Sequence, residues 1–246
     1  AAASGEVLAG VSDIVTDAMT AFGLSADGTT KIIKDGFTKE VSNASHFADV
    51  LAAASANSNT NVAMLGESFK YAAPVAGSLG YSVEDTAIAL GLMASSGLKS
   101  SMAGSSLRTI LTNLAKPTDD ISDAMDYLGI SLQNGDGSMK SLMDIVTDLR
   151  GAFGQCKMPM DQFQENLAKL DEKYANGELT EKKYNEALAD LTEKAYGAEG
   201  ALKAKYAATL AGKEGMSGLL SIVSAAPEDF DKLTNAIYNS DGAAKE

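Results

Sequence analysis

Glu67 stands beside Ser68 in a stretch of small and apolar residues, and a single carboxylic acid in such a setting is the simplest catalytic device in this sequence. Burial raises a carboxyl pKa, and a carboxyl still protonated at neutral pH can pass its proton to a glycosidic oxygen as the bond breaks. Other chemistry-bearing residues are scarce. His46 is the one histidine, so a Ser-His-Asp arrangement would have to be built on it. Its place beside Phe47 reads instead as a packed or surface side chain. Cys156 is the one cysteine and cannot close an internal disulfide, which fits a reducing compartment or one indifferent to cysteine. It reads as a small half-buried residue rather than a nucleophile. One histidine and one cysteine do not make up a zinc site of the usual composition. Beyond Glu67 as a candidate acid, no catalytic, cofactor-binding or metal-ligating residue stands out, and no cofactor is expected.

The element that carries Glu67 decides whether it can act. Val62, Leu65, Phe69, Ala72 and Ala76 recur at three- and four-residue steps, the stripe of an amphipathic helix. Glu67 lies about 200° around that helix from Leu65 and points largely away from the stripe. A solvated carboxylate is ionised at neutral pH and has no proton to give. Pro74 falls inside the pattern and predicts a kink or a break.

The same periodicity runs along the chain. Val7, Val11, Ile14, Val15, Ala18 and Phe22 form a first stripe, ended by Gly23, and Asp27-Gly28 marks a turn in the looser stretch beyond. Asn43 is placed to cap a helix carrying Phe47, Val50, Leu51 and Ala54, which runs out at Asn57-Ser58-Asn59-Thr60. Ser82-Val83-Glu84-Asp85 is a capping box with the shorter Asp in the last position, leading a helix through Ala87, Leu90 and Met93 or Ala94 that Gly97 terminates. Ala103, Leu107, Ile110, Leu111 and Leu114 form the next stripe, stopped by Pro117. Ala103-Gly104 puts two small residues where one helix can approach another backbone, and Leu107 is expected in the core. Thr118 caps a helix with Asp119 and Asp120 set against its dipole, and Leu128-Gly129-Ile130 closes it. Asn134-Gly135-Asp136-Gly137 is a tight turn that admits a small β-hairpin between Ile130 and Met139, the one candidate for strand. Leu142, Ile145, Val146, Leu149 and Phe153 mark a seventh helix.

Residues 157–197 are more charged. Pro159 suits a first helical turn, Phe163, Leu167, Leu170 and Tyr174 form one stripe, and Tyr184, Leu188, Leu191 and Ala195 another. Ala175-Asn176-Gly177 joins them and Thr180 caps the second, which makes a helical hairpin with charged outer faces. A helix through Leu202, Tyr206 and Leu210, a short apolar helix over Leu219 to Val223, and a last helix with Phe230, Leu233 and Ile237 after Pro227 complete the chain. The expected fold is all-α: a multi-helix bundle over 1–156, a protruding helical hairpin over 157–200, and C-terminal helices over 201–246 returning to the core.

Bulk composition excludes several classes. The chain is 45% apolar, 22% charged and 6% aromatic with no Trp, so its core must rest on Ala, Leu, Val, Ile and Met. A net charge of −13 repels phosphate backbones, and the densest basic stretches, Lys31 to Lys39 and Lys182-Lys183, are interleaved with Asp35 and Glu181. They read as solvated helix faces or loops. No segment is apolar for long enough to span a bilayer. Ala87, Gly91 and Ser95 could bring helices close, yet Glu84, Asp85 and Lys99 bracket them, so soluble packing is the better reading than a membrane-active segment. The opening Ala1-Ala2-Ala3-Ser4-Gly5 reads as the interior of a longer protein.

Order and spacing of several segments resemble the core region of phage tail tape-measure proteins. These are Asp49 to Asn59, Leu65 to Ala76, Gly80 to Ala87, Leu90-Gly91-Leu92-Met93-Ala94 with Gly97-Leu98, and Ala103-Gly104-Ser105-Ser106-Leu107-Arg108 running on to Leu111, Leu114 and Pro117. Leu128-Gly129-Ile130, Gly218-Leu219-Leu220 and Asp241-Gly242-Ala243-Ala244 also look like the family. The resemblance covers roughly residues 5–246 and is densest from 49 to 130. It implies a long helical protein that lies in several copies inside the tail tube, sets tail length and leaves ahead of the DNA. Implied partners are other copies of itself, the tail tube and the tail assembly chaperone, in the virion tail and, during assembly, the host cytoplasm. Goose-type lytic transglycosylases offer the enzymatic alternative, with Glu67-Ser68, Gly91-Leu92-Met93 and Tyr238-Asn239 similar to their short motifs. Ala94 stands where that pattern has Gln, and the last motif lies far away beyond the charged hairpin, so the structural reading is preferred.

Overall fold

The computed structural model describes residues 8–25, 27–34, 37–154, 160–196 and 200–240. Along the chain run α1 (Leu8–Ala21), β1 (Thr29–Lys34), β2 (Phe37–Ser42), α2 (Asn43–Asn57), α3 (Val62–Ser78), α4 (Val83–Ser95), α5 (Ser100–Ala115), α6 (Asp119–Leu128), α7 (Leu142–Phe153), α8 (Met160–Ala175), α9 (Glu181–Tyr196), α10 (Gly200–Val223) and α11 (Pro227–Tyr238). The chain is mostly α, with one small antiparallel sheet of two strands. It divides into two compact units, one of Ala1–Ser95, Lys99–Gly104 and Pro227–Glu246, the other of Ser96–Leu98 and Ser105–Ala226. Val7, Cys156, Pro159 and Asp241-Gly242-Ala243-Ala244 lie outside the described residues, as do the side chains of Val11, Ile14 and Leu202.

Unit 1 is built on α1 to α4, with α11 packed on α2 and α4. The apolar stripes point inward as the periodicity requires. Val62, Leu65, Phe69, Ala72 and Ala76 are buried along α3, and Phe47, Val50, Leu51 and Ala54 along α2. Phe22, Phe69 and Phe47 form an edge-to-face series, with ring centroids 6.1 and 5.4 Å apart. α4 is buried nearly all round, from Val83 to Ala94. Two glycines let helices close in. A Cβ on Gly77 would fall 2.4 Å from the Ala21 carbonyl oxygen, and one on Gly104 would fall 2.2 Å from the Ser68 carbonyl oxygen. At that second crossing the Ser68 hydroxyl donates to the Ser100 carbonyl at 2.7 Å. The close approach expected of Gly104 is therefore a backbone contact in unit 1.

Unit 2 holds α6 to α10 and the rest of α5, where Leu107, Ile110, Leu111 and Leu114 are buried. Thr118 caps α6, and Gly129 closes it in the left-handed region at φ 67 with the Ile130 amide bonded to the Met125 carbonyl. Ser141 and Asp144 form a reciprocal capping box on α7. α8 and α9 form the expected hairpin: Phe163, Leu167, Tyr184, Leu188, Leu191 and Ala195 are buried, and the turn passes through Gly177 at φ 74.

Four local expectations are corrected. The paired strands lie at 29–42, not at 130–139, where only an isolated Gln133–Met139 bridge forms. β-branched Thr29, Thr30, Ile32 and Ile33 favour the extended backbone, and the register pairs Lys34 with Phe37 across Asp35-Gly36, a strong hairpin dipeptide. The 130–139 loop carries Gly135 and Gly137 beside Asn134 and Asp136, residues that disfavour the extended backbone. Lys31 and Lys39 accordingly stand on strands. Second, Ser42 caps α2, taking the Ser45 amide at 3.2 Å, and Asn43 is its first residue. Asn43 is buried because it secures the hairpin: it accepts from the Thr30 hydroxyl at 2.6 Å and donates to the Ser25 carbonyl at 2.8 Å. Third, of the kink or break expected at Pro74, the break does not occur, and α3 continues through it. Pro74 and Lys70 are exposed, so the Lys70 carbonyl that loses its donor can turn to water. Fourth, the helix before Pro227 is not confined to Leu219 to Val223. It begins directly after a break at Gly212, the one residue with non-helical angles (φ 65, ψ −179) inside α10. The Asn113 amide donates to the Leu210 carbonyl at 3.0 Å, supplying the donor that the break removes.

Candidate functional site

Glu67 projects from α3 between Leu65 and Phe69, which are 1% and 0% exposed, while its own side chain is 35% exposed. Its carboxylate pairs with Lys70 at 3.0 Å, one turn along. Of the other motif residues, Leu92 and Met93 are sealed inside α4, and Gly91 faces Leu233 of α11, whose Cδ2 would lie 2.8 Å from an added Cβ. The Tyr238 hydroxyl donates to Asp85 at 2.5 Å, and the Asn239 amide donates to the Asn235 carbonyl. These polar groups are occupied by partners other than Glu67. Gly91 serves close helix packing, as its small-residue spacing anticipated.

The buried polar chemistry lies elsewhere. In unit 1, Ser82 caps α4 through the Asp85 amide at 3.0 Å, which directs Glu84 toward α2. There His46 Nε2 meets Glu84 Oε1 at 2.9 Å, with 8% of the imidazole and 23% of the carboxylate side chain exposed. Burial alone would raise the Glu84 carboxyl. The His46 hydrogen bond, the backbone, the imidazole charge and the Ser82 hydroxyl outweigh it and hold the group below its ordinary 4.5.

In unit 2, three helices contribute one side chain each to a hydroxyl–carboxylate cluster. Tyr184 of α9 donates its hydroxyl to Asp171 Oδ1 of α8 at 2.6 Å, Ser217 of α10 donates to the same oxygen at 2.8 Å, and the two hydroxyls are 3.0 Å apart. Burial pushes the Asp171 carboxyl above its ordinary 3.8 despite both donors. Burial, then the Asp171 charge, drives the Tyr184 hydroxyl far upward. A groove of 580 Å³ runs beside this cluster between α9 and α10, walled by Tyr184, Ala189, Ala204, Ala208, Gly212 and Met216. Also in unit 2, the Arg150 guanidinium of α7 caps the end of α10, donating to the carbonyls of Ile222 at 2.8 Å, Val223 at 3.4 Å and Ala225 at 2.8 Å.

Both clusters suit structural ties. In each, hydrogen-bonding capacity is spent on joining helices. In unit 1 an imidazole meets a carboxylate, and in unit 2 one Asp171 oxygen is shared as acceptor by the Tyr184 and Ser217 hydroxyls. Among the described residues no group of three His, Cys, Asp or Glu side chains could hold a metal ion, and no helix is long and apolar enough to cross a membrane. Sequence reading missed all three ties. Only the Asp171–Tyr184 pair left a signal, since the two residues lie at similar distances on either side of the 176–180 connection of an antiparallel hairpin.

Comparison with known proteins bears on what such a scaffold belongs to. The chain is 35% identical over all 246 residues to the tape measure protein of Pneumococcus phage Dp-1, of which it spans 16%. It is 27% identical over 135 residues, 55% of its length, to the probable tape measure protein of Escherichia phage P2, where the match spans 17% of that protein. No solved structure matches it. The profile of the phage-related minor tail protein family matches residues 1–170, and the chain belongs to that family.

Proposed function

We propose that this chain is a folded section of a tail tape-measure protein, a structural and assembly component of a phage or prophage tail. The observation that carries this reading is identity to a tape measure protein over the full 246 residues rather than over one motif. On this reading the whole protein sets tail length and leaves ahead of the DNA. It works with other copies of itself, with the tail tube and with the assembly chaperone, in the virion tail and, while the tail is built, in the host cytoplasm. The charge of −13 supports a role without direct nucleic-acid contact in this region. An in-frame deletion of α8 and α9 in the phage genome tests the idea by electron microscopy of tails. The expected tail is shorter, by about 1.5 Å per residue removed if the segment is helical in the tail. Tails of unchanged length that contain the shortened protein would refute it.

Catalysis is not part of this role. The Glu67 carboxylate is ion-paired with Lys70 at 3.0 Å, and the Tyr238 hydroxyl and Asn239 amide of the other motif bond to Asp85 and Asn235 instead. A cell-wall zymogram of the chain beside its Glu67→Gln variant decides the matter. Clearing by the parent that the variant loses would install the transglycosylase reading in place of this one.

A further inference from the structure

Two Asn-Gly pairs, Asn134-Gly135 and Asn176-Gly177, and one Asp-Gly pair, Asp136-Gly137, occupy turns in unit 2. An Asn-Gly pair carries its own reaction. The glycine nitrogen attacks the asparagine side-chain carbonyl carbon and loses its proton, the bond from that carbon to the amide nitrogen breaks, and ammonia leaves. The succinimide ring that remains takes up one water at either carbonyl and opens to aspartate or isoaspartate. Nothing is oxidised or reduced, and the one co-reactant is water. Glycine permits the attack because it has no Cβ in the way. The fold then decides which glycine nitrogen is available.

At Asn176 the nitrogen is committed. The Gly177 amide donates to the Tyr174 carbonyl at 3.0 Å, at the left-handed end of α8, and the flanking amides of Asn176 and Glu178 are bonded back to Glu172 and Lys173, each at 2.9 Å. Attack there must first break a helix cap. At Asp136 the Gly137 amide donates to the Asn134 carbonyl at 3.0 Å, and the carboxylate accepts the Ser138 hydroxyl at 2.6 Å and amide at 2.9 Å. Those bonds hold the carboxyl below its ordinary 3.8, so it stays ionised and is a poor electrophile. At Asn134 the arrangement differs. Among the described residues the Gly135 amide donates no hydrogen bond, whereas the Gly137 and Gly177 amides each donate one. The Asn134 side chain is exposed and is held in the turn by its donation to the Ser138 hydroxyl at 3.0 Å.

We infer that Asn134, on the exposed connection between α6 and α7, is a deamidation site that the fold selects over Asn176. The change adds one negative charge beside Asp136 in a chain already at −13, and it removes the amide donor to Ser138. The isoaspartate product also inserts an extra carbon into the backbone of the turn. Ageing of the whole purified chain in mildly alkaline buffer made with heavy-oxygen water, followed by peptide mapping, reads both sites at once. Modification at Asn134 should outpace that at Asn176 by at least about tenfold, the factor set by one local opening of roughly 1.4 kcal/mol. In denaturant the two rates should converge, because both are Asn-Gly pairs. Gly135→Ala should suppress the reaction at Asn134 and leave Asn176 as it was. Equal or inverted rates in the folded chain, no reaction at Asn134, or a preference that persists in denaturant would each overturn the inference.

Discussion

In unit 1 the half-buried carboxylate of Glu84 faces an imidazole, and in unit 2 the half-buried carboxylate of Asp171 faces two hydroxyls. Burial pushes both groups upward. The imidazole can carry a positive charge, and Glu84 ends below its ordinary value. The hydroxyls offer dipoles only, and Asp171 ends above its own. Similar burial thus gives opposite signs, and the partner decides which. Ionised Glu84 holds α2 to α4. Asp171 holds α8, α9 and α10 through its acceptor oxygen and does not need its charge to do so.

A core change without charge sets the scale for testing that contrast. Leu107→Ala empties a site that is 1% exposed and should cost about 2–5 kcal/mol, measured as a shift in denaturation midpoint. A shift indistinguishable from zero would show that the α5 stripe is misjudged. Gly104→Ala sets its Cβ against a backbone oxygen and should destabilise by about 1–3 kcal/mol, with Ser68 hydrogen-bonding altered in a crystal structure of the variant. His46→Ala leaves Glu84 half-buried without its imidazole, and about 1–2 kcal/mol should be lost near neutral pH, discounted for the exposed part of the carboxylate. If the His46→Ala loss matched a surface substitution, the pair would be ornamental and the contrast would fail.

The pH dependence should differ in sign between the clusters. The folded-state pKa of Glu84 is depressed, so its contribution is present above 4.5 and is lost as pH falls through the folded value below that. The penalty of Glu84→Gln relative to the parent should therefore shrink on acidification below 4.5. Asp171 is raised, so the folded state binds its proton more readily than the unfolded chain does. Its cluster gains stability as pH falls through that raised value and has gained all of it below 3.8. Asp171→Asn should be the mildest variant, close to neutral or slightly stabilising near pH 7, with its advantage disappearing in acid. A large destabilisation by Asp171→Asn at neutral pH would mean that the charge itself is needed.

How much of this was legible depends on the range of the interaction. Helical stripes repeat within one turn or two, so Phe69, Leu107 and Leu188 could be placed in the core from sequence alone. Gly129, Gly97 and Thr118 were readable because terminators and caps act within a few residues. The β1–β2 hairpin leaves no stripe at helical spacing, although Asp35-Gly36 and the Thr and Ile residues before it form a local signal of their own. Ser42 took the cap from Asn43 because Asn43 was required by Thr30 and Ser25, a tertiary demand invisible along the chain. Glu84 with His46, and Ser217 with Asp171, join residues on separate helices, and no pattern within either helix marks them.

Arg150 has a consequence of another kind. Its guanidinium keeps its charge across the range in which proteins stay folded, and the three carbonyls it serves do not titrate at all. The tie between α7 and the end of α10 is therefore indifferent to protons, in a molecule whose two carboxylate clusters are not. A lysine would keep the charge but lacks the planar fork that reaches acceptors spread from Ile222 to Ala225. Acidity can therefore redistribute strength among the helices of unit 2, but it leaves the strand of contacts through Arg150 as the invariant reference against which every such redistribution takes place.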